Sequence, residues 1–255
     1  MSRIKSFLKR WPLFYDFLQR TYYTFRQVVE VHMLGTKVQE WIWKTRHLYK
    51  GKNWARDYCT TVNHPHRHML IQKLKKYCLG RRGLEVGCNS GPNLYLLADK
   101  FPTTQFYGID INACAVKEGR DWFHGKGITN VSLQVGRADD LSTFEDQSME
   151  FVFTDATLLY VGPDKIIKVL KEFLRVAKRG VVLNEWHCND IPSSSHKHLK
   201  CLFYDGHWVY DYISLFRDLC PELEIKIMKI PKSVWGGEGW AEYGSIIEVL
   251  ICVES

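Results

Sequence analysis

The chain has 255 residues and 45% hydrophobic content, enough to bury the core of one α/β domain with an appendage or, at most, two small domains. Its eight cysteines are scattered with no two in a Cys-x-x-Cys pair, which argues against a zinc ribbon or a disulfide framework and points to reduced thiols in a cytosolic protein. The net charge of +7 is uneven: residues 1–80 hold 16 Lys and Arg against 4 Asp and Glu, and the remainder holds 19 against 24. A head of +12 on a body of −5 predicts an anionic partner for the head, either a phosphate-bearing substrate, a membrane surface or a nucleic acid.

Residues 1–75 read as a basic, aromatic, helical extension or lid. Ile4, Phe7, Leu8 and Trp11 recur at i, i+3, i+4 and i+7 among Arg3, Lys5, Lys9 and Arg10, which describes either a helix lying on an anionic membrane or one packed on the catalytic domain or a partner subunit. No apolar run approaches the roughly 18 residues of a membrane span, and Lys9, Arg10, Asp16 and Arg20 break any signal-peptide core. The expected location is the cytoplasm, with peripheral contact at a membrane surface as the alternative. His64, His66 and His68 sit too close together to bind a metal without further Cys or carboxylate ligands, so no metal is expected, and Pro65 with Arg67 suits a helix start. Arg67 is a candidate bidentate partner for a ligand carboxylate, with Arg46 as another.

From about residue 77 strands and helices alternate. Candidate strands cover 83–87, 105–111, 131–137, 149–155 and 180–186, with helices such as 91–100 and 165–177 between them. In the latter, Ile166, Val169, Leu170, Phe173, Leu174 and Ala177 recur at helical spacing. Apolar strands joined by helices predict a parallel sheet covered on both faces. Residues 223–230 and 245–253 then read as two strands joined by a Gly- and Trp-rich loop without a crossover helix, which predicts antiparallel pairing.

The segment carrying chemistry is Gly-Leu-Glu-Val-Gly-Cys-Asn-Ser-Gly-Pro-Asn-Leu, residues 83–94: an apolar strand, a Gly-rich turn and a helix start. Gly87 permits a tight turn and close approach of a ligand, and Gly91 permits close helix–strand packing. A phosphate loop would end in Gly-Lys-Ser/Thr, whereas Pro92 and Asn93 follow Gly91; a dinucleotide fingerprint would have glycine where Asn89 stands. With Glu85 two places before Gly87, the segment resembles the first motif of the class I S-adenosylmethionine-dependent methyltransferases, Glu/Asp-x-Gly-x-Gly-x-Gly, from which Asn89 departs. Four later segments continue the resemblance in order: 108–112, 135–142, 149–164 and 178–187.

The resemblance implies a Rossmann-like α/β fold, a seven-stranded sheet parallel except for one antiparallel strand near the C-terminus, over residues 76–255. It implies S-adenosylmethionine as cofactor, with Glu85, Gly87, Asn89, Gly91, Asp110, Ile111, Arg137, Ala138, Asp139 and Asp155 around it. Asp110 would accept ribose hydroxyls, Arg137, Ala138 and Asp139 would meet the adenine edge, and Asp155 would lie near the methionine portion. Ligands of such sheets bind outside the carboxyl ends of the strands, so the loop 231–244 should join that face. Tyr160, Trp235 and Trp240, with Arg67, are therefore candidate substrate residues. For a hydroxyl acceptor His187 is the candidate general base, oriented by Glu185 or Asp190, with His207, Asp211 and Tyr160 behind it.

The leading expectation is methyl transfer to an oxygen or nitrogen of a small-molecule, glycan or lipid-linked acceptor, anionic in character. One alternative is an RNA methyltransferase gripping phosphates with its basic head, against which stand the lack of a recognisable RNA-binding module and Thr154-Asp-Ala-Thr157 where base amino-methylating enzymes carry Asn/Asp-Pro-Pro-aromatic. A second is a non-catalytic scaffold of the same fold.

Overall fold

The computed structural model describes residues 36–51, 53–78, 82–192 and 199–251, with Thr21 and Phe25; the amphipathic pattern at residues 4–11 lies outside them. Four short helices come first: α1 (Lys37–Lys44), α2 (Arg46–Lys50), α3 (Trp54–Cys59) and α4 (Pro65–Leu74). The His-rich segment is the start of α4, where Pro65 takes the first turn and the His64 ring accepts from the His66 amide.

Seven strands form the main sheet: β1 (Arg82–Val86), β2 (Gln105–Asp110), β3 (Val131–Val135), β4 (Met149–Asp155), β5 (Ala177–Trp186), β8 (Glu224–Lys229) and β9 (Gly244–Leu250). Their order is β3-β2-β1-β4-β5-β9-β8, with β1 to β5 mutually parallel and β9 antiparallel to both neighbours. The one antiparallel strand is thus β9, inserted between β5 and β8. A two-stranded hairpin, β6 (Cys201–Tyr204) with β7 (His207–Tyr210), stands apart from this sheet. Its turn is Asp205-Gly206, both at positive φ (45° and 80°), the dipeptide that a right-twisted hairpin selects.

Helices α5 (Pro92–Lys100), α6 (Ala113–Gly125), α7 (Ile166–Val176), α8 (Tyr212–Leu219) and α9 (Glu238–Tyr243) complete the domain. Asn112 caps α6 by accepting from the amides of Cys114 and Ala115, and Asp211 caps α8 through Ser214. The apolar stripe of α7 (Ile166, Val169, Leu170, Phe173, Val176) is buried on one sheet face with α8, while Leu70, Leu94, Leu97, Val116 and Phe123 of α4, α5 and α6 cover the other. Ala177 leaves the expected helix and opens β5, its ψ of 134° ending α7 one residue earlier.

Candidate active site at the carboxyl edge of the sheet

The turn after β1 is built from three left-handed residues. Gly87 has φ +80°, and a Cβ there would lie 2.2 Å from Thr157 Oγ1. Gly91 has φ +82°, and its Cβ would press on Phe123 at 2.8 Å. Asn89 has φ +53°, a region asparagine enters more readily than other side-chain-bearing residues. Its Oδ1 accepts from the Ser90 amide at 2.8 Å, and its own amide donates to Asp110 Oδ2 at 2.8 Å. Asn89 thus holds a positive φ that glycine also enters readily.

Asp110 ends β2 facing the same turn. Besides Asn89 it accepts from the Asn112 amide at 2.8 Å, two of about four lone-pair positions, which leaves acceptor capacity on a carboxylate at the cavity wall. Burial raises its pKa, opposed by these two amide bonds.

The cleft beside it has about 820 Å³ of empty space, its open mouth included. Of the residues expected around a cofactor, Gly87, Asn89, Asp110, Ile111, Arg137, Ala138, Asp139 and Asp155 line it. Glu85 and Gly91 do not. Gly91 packs on Phe123, and Glu85 lies buried below the floor.

That floor is a buried polar network. Asp155 Oδ2 accepts from Arg67 Nη1 and Asn93 Nδ2, both at 2.9 Å, and lies 3.0 Å from His66 Nε2. Its Oδ1 accepts from Asn184 at 2.7 Å. Burial opposes ionisation of Asp155, yet His66 and Arg67 beside it hold its carboxyl below the usual carboxylate range. Glu85 accepts from Asn93 at 2.7 Å, and burial pushes it up to about 8. Arg67 thus has its carboxylate partner within the chain, with Asn93 Oδ1 and Thr61 as further acceptors. The expectation that it meets a ligand carboxylate is corrected accordingly.

The structure also moves His187 away from the role of base. The ring is buried and absent from the cavity lining; Nε2 is 2.6 Å from Asn189 Oδ1, and Nδ1 is 3.0 Å from the Tyr210 carbonyl oxygen and 3.3 Å from the Tyr212 amide nitrogen. Burial lowers its pKa. Glu185 does not orient it but accepts from the amides of Thr157 and Leu159, and Asp190 is exposed. Asp211 is spent on the cap of α8.

Tyr160 lines the cavity. Trp235 and Trp240 form a stack, centroids 3.6 Å apart and 7° from parallel, and Trp235 continues onto the His66 ring at 3.7 Å. They cover the His66–Asp155 pair rather than wall the cleft.

The cavity residues that sequence reading missed include several of the sheet domain, such as Thr157 and Lys165, and a group on the leading helices, Thr36, Gln39, Glu40 and Trp43 around α1 and Tyr58 on α3. Glu40 pairs with Arg137 (2.9 and 3.0 Å) and with Lys165, and Arg137 pairs in turn with Asp139 at 3.0 Å. Thr36 donates to Asp164 through amide and hydroxyl, and Asn112 donates to the Trp43 carbonyl at 2.7 Å. Arg137, expected at an adenine edge, is one end of this latch. Their partners lie 69 to 128 residues away along the chain, so no local pattern announces them.

Comparison with known proteins fits this geometry. The family described as a methyltransferase domain matches residues 84–180, from β1 into β5. Residues 84–180 thus carry a methyltransferase domain. A demethylmenaquinone methyltransferase from Geobacillus kaustophilus is 35% identical to it over 115 residues. That match covers 45% of each chain, so it spans under half the length of the curated relative. Among solved structures, a SAM-dependent methyltransferase from Aquifex aeolicus superposes with TM-score 0.50 at 18% identity, covering 71% of this chain and 88% of that one. A protein from Pyrococcus horikoshii gives TM-score 0.51 at 16% identity over 88% and 95%. At these identities the structures establish the fold of the methyltransferase domain. No described helix is long and apolar enough to cross a membrane, and among the described residues no His, Cys, Asp and Glu cluster is arranged to hold a metal.

Proposed function

We propose that the protein transfers a methyl group from S-adenosylmethionine to an oxygen or nitrogen of a small-molecule, glycan or lipid-linked acceptor. The observation that carries this reading is the convergence of the Gly87 turn, the Asp110 carboxylate and the Ala138–Asp139 loop on one cleft. Asp110 would accept the ribose hydroxyls, the bare backbone at Gly87 would let the ligand approach, and Ile111, Ala138 and Asp139 would flank the adenine. Asp155 would face the methionine end. The name of the Geobacillus relative, whose acceptor is demethylmenaquinone, supports the small-molecule class.

S-adenosylmethionine supplies an already activated methyl group when bound. What remains for the chain is to hold donor and acceptor in line and to keep water out. Tyr160, Trp43 and Tyr58 suit the second task, as aromatic walls of the cleft. No step is assigned to His187.

The test is thermal unfolding with S-adenosylmethionine, S-adenosylhomocysteine or NAD. A ligand at 100 times its Kd stabilises a fold by about 2.7 kcal/mol, which in a domain of this size is roughly 5–10 °C. Stabilisation by both adenosyl compounds, absent with NAD and lost in Asp110→Ala, is the expected result. No shift at saturating S-adenosylhomocysteine would refute the enzyme reading and leave a scaffold of the same fold.

A further inference from the structure

Among the described residues three ring or guanidinium nitrogens are buried without a hydrogen-bond partner at Trp43 Nε1, Arg46 Nε and His47 Nδ1, and of these residues Trp43 lines the cleft. They lie within five consecutive residues at the junction of α1 and α2. The Arg46 guanidinium sits over the Trp43 ring, 4.0 Å from its centroid, with Trp54 on a second side at 5.6 Å. Among the described residues its Nε finds no hydrogen-bond partner and its charge no carboxylate. The other arginines near the cleft differ. Arg67 is neutralised by Asp155, and Arg137 by Glu40 and Asp139. Glu40, the one acid on α1 and α2, is already held by Arg137 and Lys165.

A buried donor without an acceptor costs free energy, and native proteins rarely leave one without a protein, water or ligand partner. A guanidinium presents its donors as a planar fork, the arrangement that matches the two oxygens of a carboxylate or phosphate, and here the Trp43 ring lies on one side of it. Trp43 places the cluster relative to the cleft. Its ring lines the cavity and meets Tyr160 edge-on at 4.7 Å, and its carbonyl is fixed by Asn112, two residues beyond Asp110. We propose that Trp43, Arg46 and His47 form an oxyanion subsite for the methyl acceptor, which takes a carboxylate or phosphate carried by that molecule. The inference rests on the methyltransferase reading above and supplies what that reading lacks, the charge of the acceptor.

Phenyl phosphate is the probe, with phenol and inorganic phosphate as its two halves, titrated into the full chain saturated with S-adenosylhomocysteine. Binding is read by calorimetry and by the NMR signals of the Trp43 Nε1–H and Arg46 Nε–H groups. Phenyl phosphate is expected to bind more tightly than either half and to shift both signals. Arg46→Gln should weaken it at least about tenfold, the loss of a charge-assisted bond, while S-adenosylhomocysteine affinity stays within about twofold. Trp43→Phe, which keeps a ring and removes the donor, should weaken it less. Unfolding temperatures of both variants establish that they fold. The subsite is refuted if phenyl phosphate does not bind the wild type at millimolar concentration, or if Arg46→Gln leaves its affinity unchanged, which would leave Arg46 as a cover for two indoles. It is equally refuted if Arg46→Gln abolishes S-adenosylhomocysteine binding instead, which would assign Arg46 to the donor's own carboxylate. Failure of the wild type to bind S-adenosylhomocysteine at all would count against the methyltransferase reading itself and is seen before any phosphate is added.

Discussion

Asp155 carries more of the site's order than any other side chain. Four groups from α4, α5 and β5 converge on its two oxygens, so its charge is fully compensated only while Arg67 is present. Removing one partner of a buried ion pair leaves the other charged and unpaired, at a cost of about 3–5 kcal/mol. Arg67→Met should therefore unfold at much lower denaturant than the wild type, and Asp155→Asn added to it should recover part of the loss. Glu85 makes the opposite pH demand. Its folded pKa of about 8 lies above the 4.5 of the free side chain, so the folded state holds a proton that the unfolded state releases. Its contribution to stability is present in full below pH 4.5 and is lost as pH rises to about 8. Wild-type unfolding temperature should fall across that window, and Glu85→Gln, neutral throughout, should flatten the decline. An unchanged slope in the variant would show that Glu85 ionises normally in the fold.

At the level of elements, α1 is held over the cleft mainly by polar contacts. Glu40 bridges it to Arg137 and Lys165, and Thr36 to Asp164. With the Arg137 side chain 41% exposed, the Glu40 pair contributes about 0.5–1 kcal/mol at most. Glu40→Ala should consequently leave global unfolding almost unchanged and yet make residues 36–51 more sensitive to limited proteolysis. Equal cleavage in the two proteins would mean that α1 is fixed by packing instead. The elements themselves differed in how legible they were. The five parallel strands and α7 are evident in sequence because their burial is periodic and local. The β6–β7 hairpin is announced only by Asp205-Gly206, a signal that the reading passed over. The four leading helices are short, and α4 has only a weak apolar face, since its start is given to His66 and Arg67 of the floor network. Individual lid residues could not be read because their partners come from loops of the distant sheet.

Across the whole molecule the strand order follows from chain connectivity. Helices α5, α6 and α7 carry the crossovers from β1 to β2, β2 to β3 and β4 to β5, a loop alone joins β3 to β4, and the short α9 lies in the connection that turns β9 back between β5 and β8. This placement returns the Trp235–Trp240 loop to the carboxyl edge, as the strand directions require, but α4 is already there and His66 receives the indole stack. The same edge brings together the Gly-rich turn, Asp110 and the lid in one cleft. Motif spacing foretold the first two; the third depends on long-range pairing. The strap formed by α1 has a consequence for turnover. Glu40 and Thr36 attach it to the loop after β3 and to the start of α7, so parting of those ties should widen the exit for a nucleoside product in the cleft. Methyl transfer should then outrun departure of the spent donor. Rapid-quench measurements should show a burst of about one methyl group per chain before a slower steady rate, and Glu40→Ala should raise the steady rate toward the burst. A linear first turnover would place the slow step in the chemistry instead.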